Sequence, residues 1–454
     1  MTGSKPTTRV LACPIGPGER SPPPAWGGLG SGAVEPILAL VGALLVGFGL
    51  VSARLSSSAL TAPMIFTGAG ILVSDGGLGL VELDLDGHAV HGMGEITLTL
   101  VLFGDAARIR LAALRHELGL PVRLLGIGMP LTIAAGAGVA KLLMPELTWI
   151  EAATLGTILA PTDAALGQAV VSLPAVPARI RQALNVESGL NDGIAVPVVL
   201  ILLSLASRTA EGQTLSEWAI FATEQVTLGP VAGFGVAWVC GRAITKARRR
   251  GWMSDGYYRL SGIGIALLCF SVAGAIGGNG FIAAFVGGMT LGHLQRKHGE
   301  PLFELMEAES QLLMLLVFTV LGGSMLGPAF AEARWQDFAY AAASLTVIRM
   351  VPVSLSLIGS GLKTRTVLFL GWFGPRGLAS VLFALLLLER SGITHQQQVY
   401  SAAMLTVLGS VVLHGATAAP FAHRYARSVA ERPGAPEHEE VEVHPLRHRR
   451  SAES

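Results

Sequence analysis

Asn185-Val186-Glu187-Ser188-Gly189-Leu190-Asn191-Asp192-Gly193 opens a segment that continues as Ile194-Ala195-Val196-Pro197-Val198-Val199-Leu200 and stays apolar to Leu205. Two carboxylates and an Asn therefore occupy a stretch that is otherwise suited to lipid. A charged side chain at the bilayer centre costs at least ~2.5–3.5 kcal/mol on insertion scales, so intramembrane acids are retained for function. In a helix, Glu187 and Asn191 are four residues apart and share one face, while Ser188 and Asp192 share another, turned by about 100°. One helix can thus offer one acid to a structural partner and the other to a cavity.

The chain around this stretch has 454 residues, of which 51% are hydrophobic and 14% charged. Soluble domains carry about 25% charged residues, so the composition is that of an all-α polytopic membrane protein bathed in lipid. A net charge of +1, with basic residues spread over loops rather than gathered in a stripe, gives no footprint for nucleic acid. Cys13, Cys240 and Cys269 fit no disulfide or metal framework, and nothing in the pattern calls for a cofactor. The 57 glycines suit close helix packing in a bilayer.

Residues 1–33, rich in Pro, Gly and Ser, read as a disordered tail without a signal peptide. Residues 424–454 read as a charged, solvated cytoplasmic tail. Between them, in 34–423, about thirteen apolar runs of membrane-spanning length can be placed. Clusters such as Arg108/Arg110/Arg115, Arg179/Arg181, Lys246/Arg248/Arg249/Arg250 and Lys363/Arg365 alternate with loops carrying Glu82, Asp84, Glu146, Glu332 and Asp337. The positive-inside rule then puts the C-terminus of this multi-pass chain in the cytoplasm, and the plasma membrane is its expected location. Lys5, Arg9 and Arg20 run against that rule at the N-terminus.

Two spans contain helix breakers beside polar residues: Ala160-Pro161-Thr162-Asp163 in the fifth and Gly371-Trp372-Phe373-Gly374-Pro375-Arg376-Gly377 in the twelfth. Both are expected to unwind near mid-membrane. Discontinuous helices at corresponding places in the two halves point to an inverted-repeat core built around a midplane site.

The intramembrane ionisable set is Asp163, Glu187, Asp192, Arg349 and Arg376, with Thr162, Ser188 and Asn191 as neutral oxygen donors. Glu187 is the natural counter-ion of Arg349, as a structural charge pair. Asp163 and Arg376 suit the exposed helix ends at the two breaks, and Asp163 is equally a candidate for the ion- and proton-binding set with Asp192, Thr162, Ser188 and Asn191. Asp192 is left for an ion, and its oxygen-rich surroundings suit a small hard cation. Desolvation favours the protonated form of a carboxylate and a bound cation favours the ionised one, so Na+ (or K+ or Li+) and H+ compete for Asp192. One titrating carboxylate implies one cation per proton, an electroneutral antiport by alternating access. The rival readings are a cation channel or uniporter using the same carboxylates, and an intramembrane hydrolase built on Ser188, which lacks a basic partner at any recognisable spacing. His293, His395 and His414 read as packed or interfacial histidines, and Trp149, Trp218, Trp252 and Trp335 as interface anchors.

Thr162-Asp163, Glu187-Ser188 followed by Asn191-Asp192-Gly193, Arg349 in an apolar helix, and the 371–377 run together resemble the cation–proton antiporters of the sodium/proton exchanger type, in their bacterial NhaP-like branch. The resemblance covers about 34–422. It implies a thirteen-helix homodimer with a dimerisation domain and a mobile core, serving pH homeostasis. It also implies that Asp192 carries ion and proton, that Thr162 and Ser188 are near ligands, and that Glu187 pairs with Arg349. Here Pro161 precedes Thr162 and Ala164 follows Asp163, where many members have Pro after Thr-Asp.

Overall fold

The computed structural model describes residues 31–55, 58, 60–74, 76–79, 88–108, 119–163, 166–211, 215–295, 300–390, 392–430 and 437. Among them the chain is helical and contains no strand. The helices are α1 (Ser31–Leu55), α2 (Ala62–Val73), α3 (His88–Arg108), α4 (Gly119–Leu143), α5 (Trp149–Ile158), α6 (Gln168–Val171), α7 (Ala178–Glu211) and α8 (Leu215–Arg249). They continue as α9 (Asp255–Ala275), α10 (Gly280–Leu294), α11 (Pro301–Ala331), α12 (Trp335–Ser356), α13 (Thr364–Trp372), α14 (Leu378–Leu388) and α15 (Gln396–Ala430). Taking α5 with α6 and α13 with α14 as two discontinuous spans, they occupy the positions of the thirteen expected crossings. Among the described residues, seven helices are long and apolar enough to cross a membrane unaided, and several shorter apolar helices accompany them.

Two bundles form. The first gathers α2, α3 and α8–α11, and the second gathers α4–α7 and α12–α15. Lipid gives little hydrophobic drive between helices, so close backbone packing of small residues does the work. In the first bundle an added Cβ on Gly288 or Gly292 of α10 would strike the carbonyls of Phe103 or Ala107 on α3. The seam between the bundles runs where α7, α14 and α15 meet α2, α3, α8, α10 and α11.

Local chemistry sets the helix ends around the site. Thr148 and Glu151 form a capping box that starts α5, with Glu151 N donating to Thr148 Oγ1 and Thr148 N to Glu151 Oε2. Pro161 and Pro375 lie in the gaps after α5 and α13. A third interruption, absent from the sequence reading, falls in α12 at Thr346, whose backbone (φ −120°, ψ −92°) leaves the helix. Its hydroxyl bonds back to the Ala342 carbonyl at 2.6 Å, a contact that competes with the helical ladder. Two other helices widen for one turn into π geometry, α4 at Leu124–Gly128 and α11 at Leu321–Met325.

The terminal boundaries differ from the sequence reading. Helix α1 begins at Ser31, before the expected limit of the tail, and α15 runs on to Ala430, so 424–430 is helix rather than tail. Beyond it Glu437 is buried, not solvated: its carboxylate accepts from Lys363 N at 3.2 Å and Thr366 Oγ1 at 2.7 Å, at the start of α13. Trp149, Trp252 and Trp335 are exposed; the side chain of Trp218 lies outside the described residues, as do residues 1–30 and 438–454.

Candidate functional site

The two breaks meet inside the second bundle and serve each other's backbone. Unwinding a helix within a membrane frees carbonyls and amides that must find partners in the protein. Asp163, in the first break, accepts from the amide of Leu378 at 2.9 Å, the first residue of α14. The Asp163 amide donates to the carbonyl of Pro375 at 2.8 Å. In return the fully buried Arg376 donates through Nη1 to the carbonyls of Ala160 (3.0 Å) and Pro161 (3.3 Å), just past the end of α5. An anion thus faces a helix start and a cation faces a helix end, as the partial charges of helix termini require. Ser380 adds a bond to the carbonyl of Ile158, the last residue of α5, at 2.8 Å.

Two glycines make this crossing possible. A Cβ on Gly377 would stand 2.1 Å from Asp163 Oδ2, and one on Gly374 would stand 2.3 Å from Arg349 Nε. Any larger residue would displace the charged group from its seat.

Helix α7 lies alongside. Glu187 Oε1 sits 2.6 Å from Arg349 Nη2, both side chains being almost wholly buried. Ser188 and Asn191, three residues apart and therefore neighbours on the helix surface, converge on Thr162. The Ser188 hydroxyl donates to the Thr162 carbonyl at 2.6 Å, and the Asn191 amide donates to its hydroxyl at 2.7 Å. Asn191 thus works with Ser188 at the first break, whereas the spacing had paired it with Glu187. Thr162, Ser188, Asn191, Glu187 and Arg349 are all buried.

Asp192 follows Asn191 and is only partly buried. Beside it, Gly193 marks the seam: an added Cβ there would meet the ring of Phe285, on α10 of the other bundle, at 2.1 Å. Phe285 is a residue of the site that the sequence reading missed. His414 on α15, read from the sequence as a packed or interfacial histidine, is fully buried against Ser410 and the Trp372 carbonyl.

Comparison with known proteins places these features in a family. The model of the family described as "Sodium/hydrogen exchanger, transmembrane" matches residues 26–424. The K(+)/H(+) antiporter NhaP2 of Shewanella baltica is 24% identical over 380 residues, covering 83% of this chain and 65% of that protein. The K(+)/H(+) antiporter NhaP of Alkalimonas amylolytica is 24% identical over 376 residues, covering 82% of this chain and 64% of that protein. The chain thus spans a little under two thirds of the length of these curated relatives. In fold it is similar to the sodium proton antiporter MjNhaP1 from Methanocaldococcus jannaschii, with a TM-score of 0.69 at 20% identity over 84% of this chain and 99% of that one. With crossed helix breaks, a buried charge pair and a family match over nearly all its helices, this multi-pass membrane protein belongs to the transmembrane sodium/hydrogen exchanger family.

Proposed function

We propose that the chain exchanges a monovalent alkali cation for H+ across the plasma membrane, one for one, with Asp192 as the group for which both compete. The observation that carries this reading is the placement of Asp192. It is a partly buried acid at the seam between the two bundles, one turn from Ser188 and next to Gly193, whose bare backbone faces Phe285. Thr162 and Ser188 supply neutral oxygens nearby, and small alkali cations take oxygen ligands. The Ser188 hydroxyl now donates to the Thr162 carbonyl and the Thr162 hydroxyl accepts from the Asn191 amide, so ion binding must exchange those hydrogen bonds for metal contacts. Glu187 with Arg349, and Asp163 with Arg376, hold the scaffold, which leaves a single carrier carboxylate and hence an electroneutral cycle. Relative movement of the two bundles would expose Asp192 to each side in turn. The basic loops orient the C-terminus to the cytoplasm, and the family resemblance supports a homodimer and a role in pH homeostasis.

The curated relatives named above are K(+)/H(+) antiporters, and the structural relative a sodium proton antiporter, so Na+, K+ and Li+ are the ions to compare. The test is dissipation of a pH gradient by added cation in proteoliposomes, with and without a clamped membrane potential. Exchange by the parent chain and its loss in Asp192→Asn are expected. Normal exchange by Asp192→Asn, or a net current during exchange, would overturn the reading.

A further inference from the structure

In a continuous helix the amide of residue i donates to the carbonyl of residue i−4, so Arg376 N–H would bond to Trp372 C=O. That bond is missing, because the chain is unwound from Phe373 to Gly377. Both groups are reached by a neighbouring helix, the Trp372 carbonyl on the lone pair left over after it accepts from the Gly374 amide at 2.9 Å. Arg376 N donates to Ser410 Oγ at 2.6 Å; Ser410 Oγ lies 3.0 Å from His414 Nδ1; His414 Nε2 lies 3.0 Å from the Trp372 carbonyl. Ser410 and His414 are one turn apart on α15 and both are buried.

With His414 neutral, the donor directions have one consistent solution. A carbonyl only accepts, so Nε2 carries the hydrogen; the neutral ring then accepts at Nδ1 from the Ser410 hydroxyl, whose oxygen accepts the Arg376 amide. Three bonds in series replace one helical bond. The Trp372 indole braces the arrangement, lying 5.2 Å from the His414 ring between centroids and donating to Thr417 Oγ1 at 3.1 Å.

We propose that His414, with Ser410, is a positioning residue for exchange: the pair splices the break between α13 and α14 and fixes its width. That width sets where Arg376 holds the carbonyls of Ala160 and Pro161, and so where the adjoining Thr162 stands relative to Asp192. The inference rests on the reading of Thr162 and Asp192 as the ion site.

The test measures cation KM and maximal exchange rate in proteoliposomes for His414→Ala, His414→Gln and Ser410→Ala. His414→Ala and Ser410→Ala should raise the cation KM by about 3- to 10-fold, the effect of one net hydrogen bond, with the saturated rate of folded protein retained. His414→Gln, whose amide can still donate to Trp372, should recover part of that loss. An unchanged KM in folded His414→Ala and Ser410→Ala, or His414→Gln behaving like His414→Ala, would overturn the proposal. A second readout is independent of transport: 15N spectra of histidine-labelled protein, with His414→Gln identifying the signal, should show the neutral Nε2–H tautomer, perturbed at Nδ1 by Ser410→Ala. The opposite tautomer removes the splice even if exchange is intact. A parent chain that does not exchange, with the expected tautomer present, instead brings down the ion-site reading and the positioning role with it.

Discussion

Arg349 reaches Glu187, at 2.6 Å, across a piece of backbone that must lack a side chain: a Cβ at Gly374 would lie 2.3 Å from the arginine Nε. The pair joins α7 to α12 over the second break. Removing one partner leaves an uncompensated buried charge, which costs about 3–5 kcal/mol, whereas replacing both with apolar residues is often close to neutral. Arg349→Ala and Glu187→Ala should each lower the thermal unfolding temperature in detergent sharply, and Glu187→Leu with Arg349→Met should cost much less than the two alanines summed. Simple additivity would mean that the two groups do not depend on each other.

Asp163 acts as the cap of α14. Asp163→Ala should cost about 1 kcal/mol, as loss of a helix N-terminal acceptor does, and Asp163→Asn should keep most of the stability because an amide oxygen can still accept from Leu378. Gly377→Ala, which forces a Cβ to 2.1 Å from the same carboxylate oxygen, should be at least as damaging as Asp163→Ala. Unfolding midpoints of the three variants check the ranking.

Gly193→Ala presses a methyl group against the Phe285 ring at the seam. Overpacking of this kind costs about 1–3 kcal/mol and here falls beside Asp192. Exchange by Gly193→Ala should be severely reduced, and Phe285→Ala added to it should restore a substantial part. Equal activity of Gly193→Ala and the parent chain would show that the ring yields freely.

Glu437 supplies a pH dependence outside the membrane. Burial opposes its charge, but the Thr366 hydroxyl and the Lys363 amide outweigh that and hold its carboxyl below the usual range. A carboxylate with a lowered folded-state value stabilises above its unfolded value and stops doing so as pH falls through the folded one. Glu437→Gln should therefore be less stable than the parent near neutrality, and the difference should close in acid. A gap that widens on acidification would contradict the contact.

Much of the architecture was legible in composition and spacing. Apolar runs placed the crossings, and Pro161 and Pro375 marked the breaks, because proline and lipid leave backbone few options. Unreadable were the features that depend on which helices meet. Ser410 and His414 are visibly one turn apart, but only the approach of α15 to the break makes them more than a packed pair. Phe285 has no polar atom to draw notice, and its importance comes from the bare glycine opposite. Thr346 breaks α12 without proline or glycine, through a hydroxyl that rivals the ladder. Glu437 sits in a run of charges that resembles any solvated tail until α13 presents an open end.

The reciprocal capping of the two breaks has a consequence for biogenesis. The carbonyl of Ala160 leaves the ribosome 216 residues before Arg376, which satisfies it, and the carboxylate of Asp163 precedes the Leu378 amide by 215. Throughout that interval the nascent first half carries an unsatisfied polar gap that lipid will not solvate. The gap must be kept wet, or sheltered in the translocon, until the second half arrives, so truncations ending before α13 should be recognised by quality-control proteases as unfinished.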